Sequence, residues 1–185
     1  MPTKSYHPGM TLLEILVVLA VLGVASAFVT PNILDWNCRQ EARNDFERLN
    51  GFMQTLRLEA VNRNSTMLAR VYRSGNNAII RAYQGPQGNK KSCSGGGWNY
   101  RGQGVNDIMD YRSEKSSLSF VKRDICFEAD GTATPTSINN YAYLISRQCG
   151  IKPVRNFQYK NQIFGATGFI EKMKYNLTSS KWEEL

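Results

Sequence analysis

The stretch HPGMTLLEILVVLAVLGVASAFVTPN, residues 7–32, sets the first limit on what this chain can be. From Ile15 to Leu34 there are twenty consecutive residues without a formal charge, most of them Leu, Val, Ile, Ala or Phe. At about 1.5 Å rise per residue that is roughly 30 Å of helix, the thickness of a bilayer's hydrocarbon core. Residues 1–9, MPTKSYHPG, carry Lys4 and no acid. The positive-inside rule therefore places the N-terminus in the cytoplasm and everything beyond Leu34 across the inner membrane. Glu14 stands at the head of the run, where an ionised carboxylate costs a few kcal/mol in hydrocarbon.

Two ordinary readings leave that carboxylate unexplained. A secretory signal peptide has an apolar core of roughly 7–15 residues followed by a small-residue cleavage site, and Ala25-Ser26-Ala27 has that form. A plain single-pass anchor needs only the run itself. Neither requires Glu14, and neither requires Gly9 directly before Met10.

The residues G-M-T-L-L-E at 9–14 resemble the type III signal of type IV pilins and type II secretion pseudopilins. In that family a short basic leader ends in Gly, and Phe usually follows where this chain has Met10. The resemblance implies that a prepilin peptidase on the cytoplasmic face cuts between Gly9 and Met10, that Met10 is then N-methylated, and that the apolar helix is retained. It also gives Glu14 a purpose. When helices bundle into a filament, the ammonium of one Met10 lies beside Glu14 of a neighbour, and a mispaired register leaves a buried charge costing several kcal/mol. A carboxylate snorkelling at the membrane interface is the plainer alternative.

The helical pattern continues beyond the run. Phe46, Leu49, Met53, Leu56 and Ala60 recur at spacings of three and four, an apolar stripe on one face. Pro31 removes a backbone donor near the bilayer exit and is expected to kink or loosen the helix there; the resemblance associates such a proline with local melting inside a filament. A helix from Thr11 to Arg63 is expected, about 80 Å long.

Residues 65–185 read as a β-rich head. TMLARVYRSGNNAIIRAYQ gives two strands around a Ser-Gly-Asn-Asn turn, and SLSFVKRDICFEADGTA a further pair ending at Asp130-Gly131. NYAYLIS, VRNFQY, QIFGA and GFIEKMKYNL supply more strands. A glycine-rich loop over 85–104 is tethered at Cys93. The fold class is α+β, a long N-terminal helix packed on an antiparallel sheet or sandwich. The segments LRLEAVNRNSTM (56–67) and CFEADGTATP (126–135) are similar to the GspH/FimT family of minor pilins and pseudopilins, which implies a helix packed against two small β-sheets, a pilin fold. The expected organisation is a prepilin leader at 1–9, a transmembrane half-helix at 10–34, an amphipathic half at 35–64 and a periplasmic head at 65–185.

Cys38, Cys93, Cys126 and Cys149 all follow the apolar run, and no C-x-x-C spacing exists. Zinc is therefore not expected, and an oxidising periplasm makes two disulfides the default. Of the three possible pairings, Cys38–Cys93 with Cys126–Cys149 is expected, the first pinning the long loop to the helix. The one histidine, His7, lies in the leader. A mature chain without histidine has no Ser-His or Cys-His nucleophile system, so no enzyme, catalytic residue, metal or cofactor is expected.

The net charge is +8, and losing Lys4 with the leader leaves +7. The head holds 17 basic and 9 acidic residues, so the positive excess lies there. Arg147, Lys152, Arg155 and Lys160 fall in an acid-free stretch interleaved with Tyr141, Tyr143, Phe157 and Tyr159. Basic residues among aromatics can hold a nucleic-acid backbone. Some FimT-type pilins bind DNA through a Gly-Arg-x-Arg stretch, where this chain reads CGIKPVRN, with Ile in place of the first Arg. A solvated basic surface over an aromatic core is the plainer reading. The leading expectation is a minor type IV pilin that assembles with other pilins through its helix. The minor pseudopilin H of type II secretion comes second, and a DNA-binding uptake pilin third.

Overall fold

The computed structural model describes residues 11–74, 77–85, 93, 98–100, 110–121, 124–134, 142–150 and 154–185; within these, the side chains at 27–32, 74, 77, 99 and 100 are not described. One helix, α1 (Leu12–Asn62), spans 51 residues, about 76 Å. Both of its ends are set by local chemistry. Thr11 is the N-cap in an extended conformation, and its hydroxyl accepts the backbone N–H of Glu14 at 3.2 Å. At the other end Asn64 takes a left-handed φ of 48°. The Ser65 N–H reaches back to the Ala60 carbonyl and the Asn64 N–H to that of Val61, a Schellman closure in which Asn replaces the usual Gly.

The eleven described strands form two sheets, one of six strands and one of five. In the chain they are β1 (Met67–Ser74), β2 (Asn77–Gln84), β3 (Asn99–Tyr100), β4 (Tyr111–Arg112), β5 (Ser117–Phe120) and β6 (Asp124–Phe127). There follow β7 (Ala133–Thr134), β8 (Tyr143–Cys149), β9 (Arg155–Phe164), β10 (Phe169–Asn176) and β11 (Lys181–Glu184). The first sheet has the order β3-β2-β1-β6-β7, with β4 also on β2; the second has the order β11-β10-β9-β8-β5. Every pairing is antiparallel. The expected β1–β2 hairpin is present, with Ser74 opposite Asn77.

The expected strand pair over 117–127 needs correction. β5 and β6 are both strands, but β5 pairs with β8 in the second sheet and β6 with β1 in the first. Only the Asp130-Gly131 turn holds as read: it closes the β6–β7 hairpin, with the Asp130 carboxylate accepting the Thr132 N–H and hydroxyl at 2.9 and 2.7 Å.

The helix stripe joins the two sheets. Ala42, Phe46, Leu49, Met53, Leu56 and Ala60 are completely buried and share one core with residues of both sheets. Phe46 stacks on Tyr159 of β9 at 5.4 Å. Burying a side chain of this size contributes about 1.5–3 kcal/mol, so this half of the helix is part of the head rather than a stalk beneath it. A polar pin runs through the same core. Asn50 donates to the Phe46 carbonyl and accepts from the Asn161 amide at 3.0 Å, while Asn161 accepts the Tyr143 backbone N–H at 2.9 Å. At the far end Arg57 donates to the carbonyls of Gly131 and Thr167. Gly168, with φ of 61°, lies so close to Gly131 that a Cβ there would stand 1.9 Å from its carbonyl oxygen.

The disulfide pairing is also corrected. The bonds are Cys38–Cys149 and Cys93–Cys126. Direction explains why. In β6, Ile125 and Phe127 face the helix and belong to the core, so the alternation of a strand turns Cys126 to the other side. In β8, Cys149 shares the helix-facing parity of Tyr143 and Ile145. Cys126 and Cys149 therefore stand in different sheets with diverging Cβ directions, which a disulfide cannot bridge. The long loop is pinned at Cys93 to the outer face of the first sheet rather than to the helix.

Candidate functional site

The first functional region is the start of α1. Gly9 and Met10, the expected cleavage and methylation residues, lie outside the described residues. Leu12, Leu13, Leu16, Val18, Val21 and Val24 are all exposed, from 47% for Val18 to 77% for Leu12, and no described residue of the head covers them. Glu14 is exposed among them. Its place reveals a feature the sequence reading passed over: Thr11-Leu-Leu-Glu14 has the spacing of a capping box. The Thr11 hydroxyl satisfies one of the four N–H groups that a helix start leaves unpaired, and an acid in the first turn faces the positive end of the helix dipole. The threonine of the signal thus has a physical job of its own.

The expected membrane segment, 10–34, includes residue 10 and the side chains of 27–32, which are outside the description. Among the described residues no helix is long and apolar enough to cross a membrane. Pro31 falls within α1, which runs on past it to Asn62.

The second region is the junction where α1 enters the head. Cys38–Cys149 fastens the helix to the end of β8, and Cys149 is the register partner of Arg155 at the start of β9. Next to this staple, Glu41 receives Lys115 at 2.7 Å and Arg147 at 2.5 Å. Hydrogen bonding from Lys115 is the main cause that holds the Glu41 carboxyl below the usual carboxylate range; partial burial opposes it, and the charge of Arg147 adds to it. Arg39 pairs with Asp35 at 2.8 Å and lies over the Phe157 ring at 5.4 Å. Nothing in the sequence marks these contacts, because Glu41 and Arg39 are ordinary charges of a helix face until β8 and β9 are brought beside them.

Of the four basic residues considered for nucleic acid, the three described ones do not share one face. Arg147 projects from the helix-facing side of β8 and is held by Glu41. Arg155 has the same parity in β9 and is exposed at the strand's start. Lys160 is on the opposite parity, on the outer face, with its ammonium 4.6 Å from the Trp182 ring. Lys152 lies outside the described residues. Among the described residues no group of His, Cys, Asp or Glu has the arrangement to hold a metal ion.

Residues 4–30 match the family described as the prokaryotic N-terminal methylation motif. The chain carries a type IV prepilin-like N-terminal signal. No curated protein and no solved structure matches the chain. The signal is followed by a long helix packed on two antiparallel sheets, an α+β architecture of the pilin-like kind, which supports a place for the chain in the cell envelope.

Proposed function

We propose that this chain is a minor type IV pilin, a structural subunit that a prepilin peptidase processes and that joins other pilins through α1, near the filament tip as part of a priming complex. The observation that carries the reading is the helix start: one carboxylate, Glu14, in an otherwise apolar exposed surface, inside a matched methylation motif. An apolar surface of that extent requires lipid before assembly or neighbouring helices after it. Glu14 then selects the register by pairing with a neighbour's N-terminal ammonium. The role is structural rather than catalytic, in keeping with a processed chain that has no histidine. The same features suit the minor pseudopilin H of type II secretion; two disulfides and a long tethered loop favour the pilus. DNA uptake is the less favoured reading, since Lys160 faces away from Arg147 and Arg155 and Arg147 is held by Glu41.

Intact-mass measurement of the mature protein is expected to give an N-methylated Met10, and Gly9→Ala to accumulate uncut precursor. An N-terminus at Phe28, after Ala25-Ser26-Ala27, would overturn the reading. Glu14→Gln keeps the side-chain size and removes the charge, so it is expected to leave membrane insertion intact while incorporation into filaments falls. Normal piliation by that variant would remove the registration argument.

A further inference from the structure

The Cys38–Cys149 bond fixes one end of the head at a definite height on α1. Cys38 is four residues past Leu34, about 6 Å of helix rise beyond the end of the apolar run. The polar layer on each side of a bilayer is about 5–7 Å deep. β8 ends and β9 begins at this level, because Cys149 and Arg155 are register partners. The connection between the two strands therefore leaves and re-enters the sheet on the side of the head nearest the apolar run.

The charges at this level are unequal. Arg39, Lys115, Arg147 and Arg155 are four cations, and Arg43 follows about 7.5 Å further along α1 than Cys38; Asp35, Glu41 and Asp45 are the carboxylates among them, Asp35 taken by Arg39, Glu41 shared by Lys115 and Arg147, and Asp45 accepting the Lys115 backbone N–H. Arg43 and Arg155 are exposed and form no ion pair among the described residues. Two apolar side chains stand exposed at the same level, Trp36 at 58% and Val154 at 56%. An exposed aromatic ring and free cations soon after a membrane-length apolar run are the composition of a membrane–water interface.

We propose that this cationic collar docks on the anionic headgroups of the membrane from which α1 emerges, and so holds the unassembled head down on the lipid surface in one orientation. Arg43 and Arg155 supply the free charge, Trp36 and Val154 the interfacial apolar contact. The glutamate clasp keeps Lys115 and Arg147 in place without cancelling the excess. This rests on the reading of the helix's first half as a membrane anchor. It adds a partner that the anchor alone does not require, since an apolar helix inserts equally well into neutral lipid.

The test uses the full chain in nanodiscs of phosphatidylcholine alone or with phosphatidylglycerol. A carbonate wash of the same chain in vesicles checks anchoring, and the chain is expected to stay with both lipids. Backbone hydrogen exchange over residues 148–156 is then expected to slow several-fold with phosphatidylglycerol at low salt. The effect should disappear near 0.5 M salt, roughly, where charges more than a few Å apart are screened. The Arg43→Gln, Arg155→Gln double variant removes two unpaired surface charges and is expected to keep its disulfides and lose the slowing. Equal exchange in the two lipids, with anchoring intact, overturns the proposal and leaves the pilin reading standing. Loss of the chain from both lipids on washing overturns the anchor reading and the collar with it. Equal slowing in neutral discs on adding inorganic phosphate makes this an anion site without preference for lipid, and also overturns it.

Discussion

Tyr143 and Asn161 are both completely buried, and they treat their polar groups in opposite ways. Asn161 uses its amide in two directions, to Asn50 and to the Tyr143 backbone. The Tyr143 hydroxyl has no hydrogen-bond partner among the described residues, and burial pushes its pKa well above the ordinary tyrosine value. An unpaired buried hydroxyl costs about 1–3 kcal/mol, while removing one member of a satisfied pair leaves the other orphaned at a similar cost. Denaturant unfolding is therefore expected to show Tyr143→Phe as stable as the parent or more stable by about 1 kcal/mol. Asn161→Leu is expected to lose about 2–3 kcal/mol, since it strands both Asn50 and a backbone donor. A destabilised Tyr143→Phe would reveal a partner for the hydroxyl.

Glu41 makes the residue scale sensitive to pH. Its folded carboxyl is held below the usual carboxylate range by Lys115 and Arg147. Its contribution is thus present above that range and is lost as the pH falls through the depressed folded value. Melting curves of the parent and Glu41→Gln are expected to differ near neutrality and to converge in acid. The difference should be small, because about a quarter of the side chain remains exposed and surface pairs contribute little. Curves that stay parallel down to strong acid would show that Glu41 does not titrate against these partners.

At the scale of elements, the two disulfides do unequal work. Cys38–Cys149 spans 111 residues and encloses Cys93–Cys126, which spans 33. In the chain-entropy picture the longer bridge restricts the unfolded chain more, by on the order of 1 kcal/mol even with the inner bridge formed. The Cys38→Ser, Cys149→Ser variant is expected to lose more stability than Cys93→Ser, Cys126→Ser. It should also speed exchange in the β8–β9 hairpin, while the other variant speeds it around β6. The reverse order would mean that the long loop holds more of the fold than its anchor suggests. That pairing illustrates where sequence stops being informative. The helix was legible because its apolar stripe is a local signal, and the β1–β2 hairpin because alternation and a turn specify a neighbour. Nothing in SLSF or DICF states which distant strand each will meet, so their separation into two sheets was hidden. The disulfides depend on that separation and were misassigned for the same reason. β11 went unread because Trp182 is its one large apolar residue among Lys181, Glu183 and Glu184, too little alternation to register as a strand. Around the junction, Glu41 and Arg39 gain meaning only once β8 and β9 are brought beside them.

The described residues share one core, and α1 runs through it. No described part of either sheet is closed without the helix: Met67, Ala69 and Val71 of β1, Ile125 and Phe127 of β6, Tyr143 and Ile145 of β8 and Tyr159 of β9 all bury against the same cluster as the helix stripe. The division into an amphipathic half-helix at 35–64 and a head at 65–185 is therefore a division of sequence and not of folding. A chain beginning at residue 35 keeps the stripe, the Asn50–Asn161 pin, Arg57 and both disulfides, and sheds the exposed apolar surface from Leu12 to Leu34. It is expected to be soluble, monomeric and cooperatively folded. A chain beginning at residue 65 loses six fully buried side chains. Phe46, Leu49, Met53 and Leu56 alone account for about 6–12 kcal/mol of burial, comparable to the whole stability of a domain of this size. It also leaves Cys149 without its partner and Asn161 without Asn50. That shorter chain is expected to aggregate or to remain unfolded, with poorly dispersed amide resonances and no cooperative melt. A folded, monomeric product from residue 65 onward would show that the two sheets close on each other unaided, and that α1 is a stalk after all.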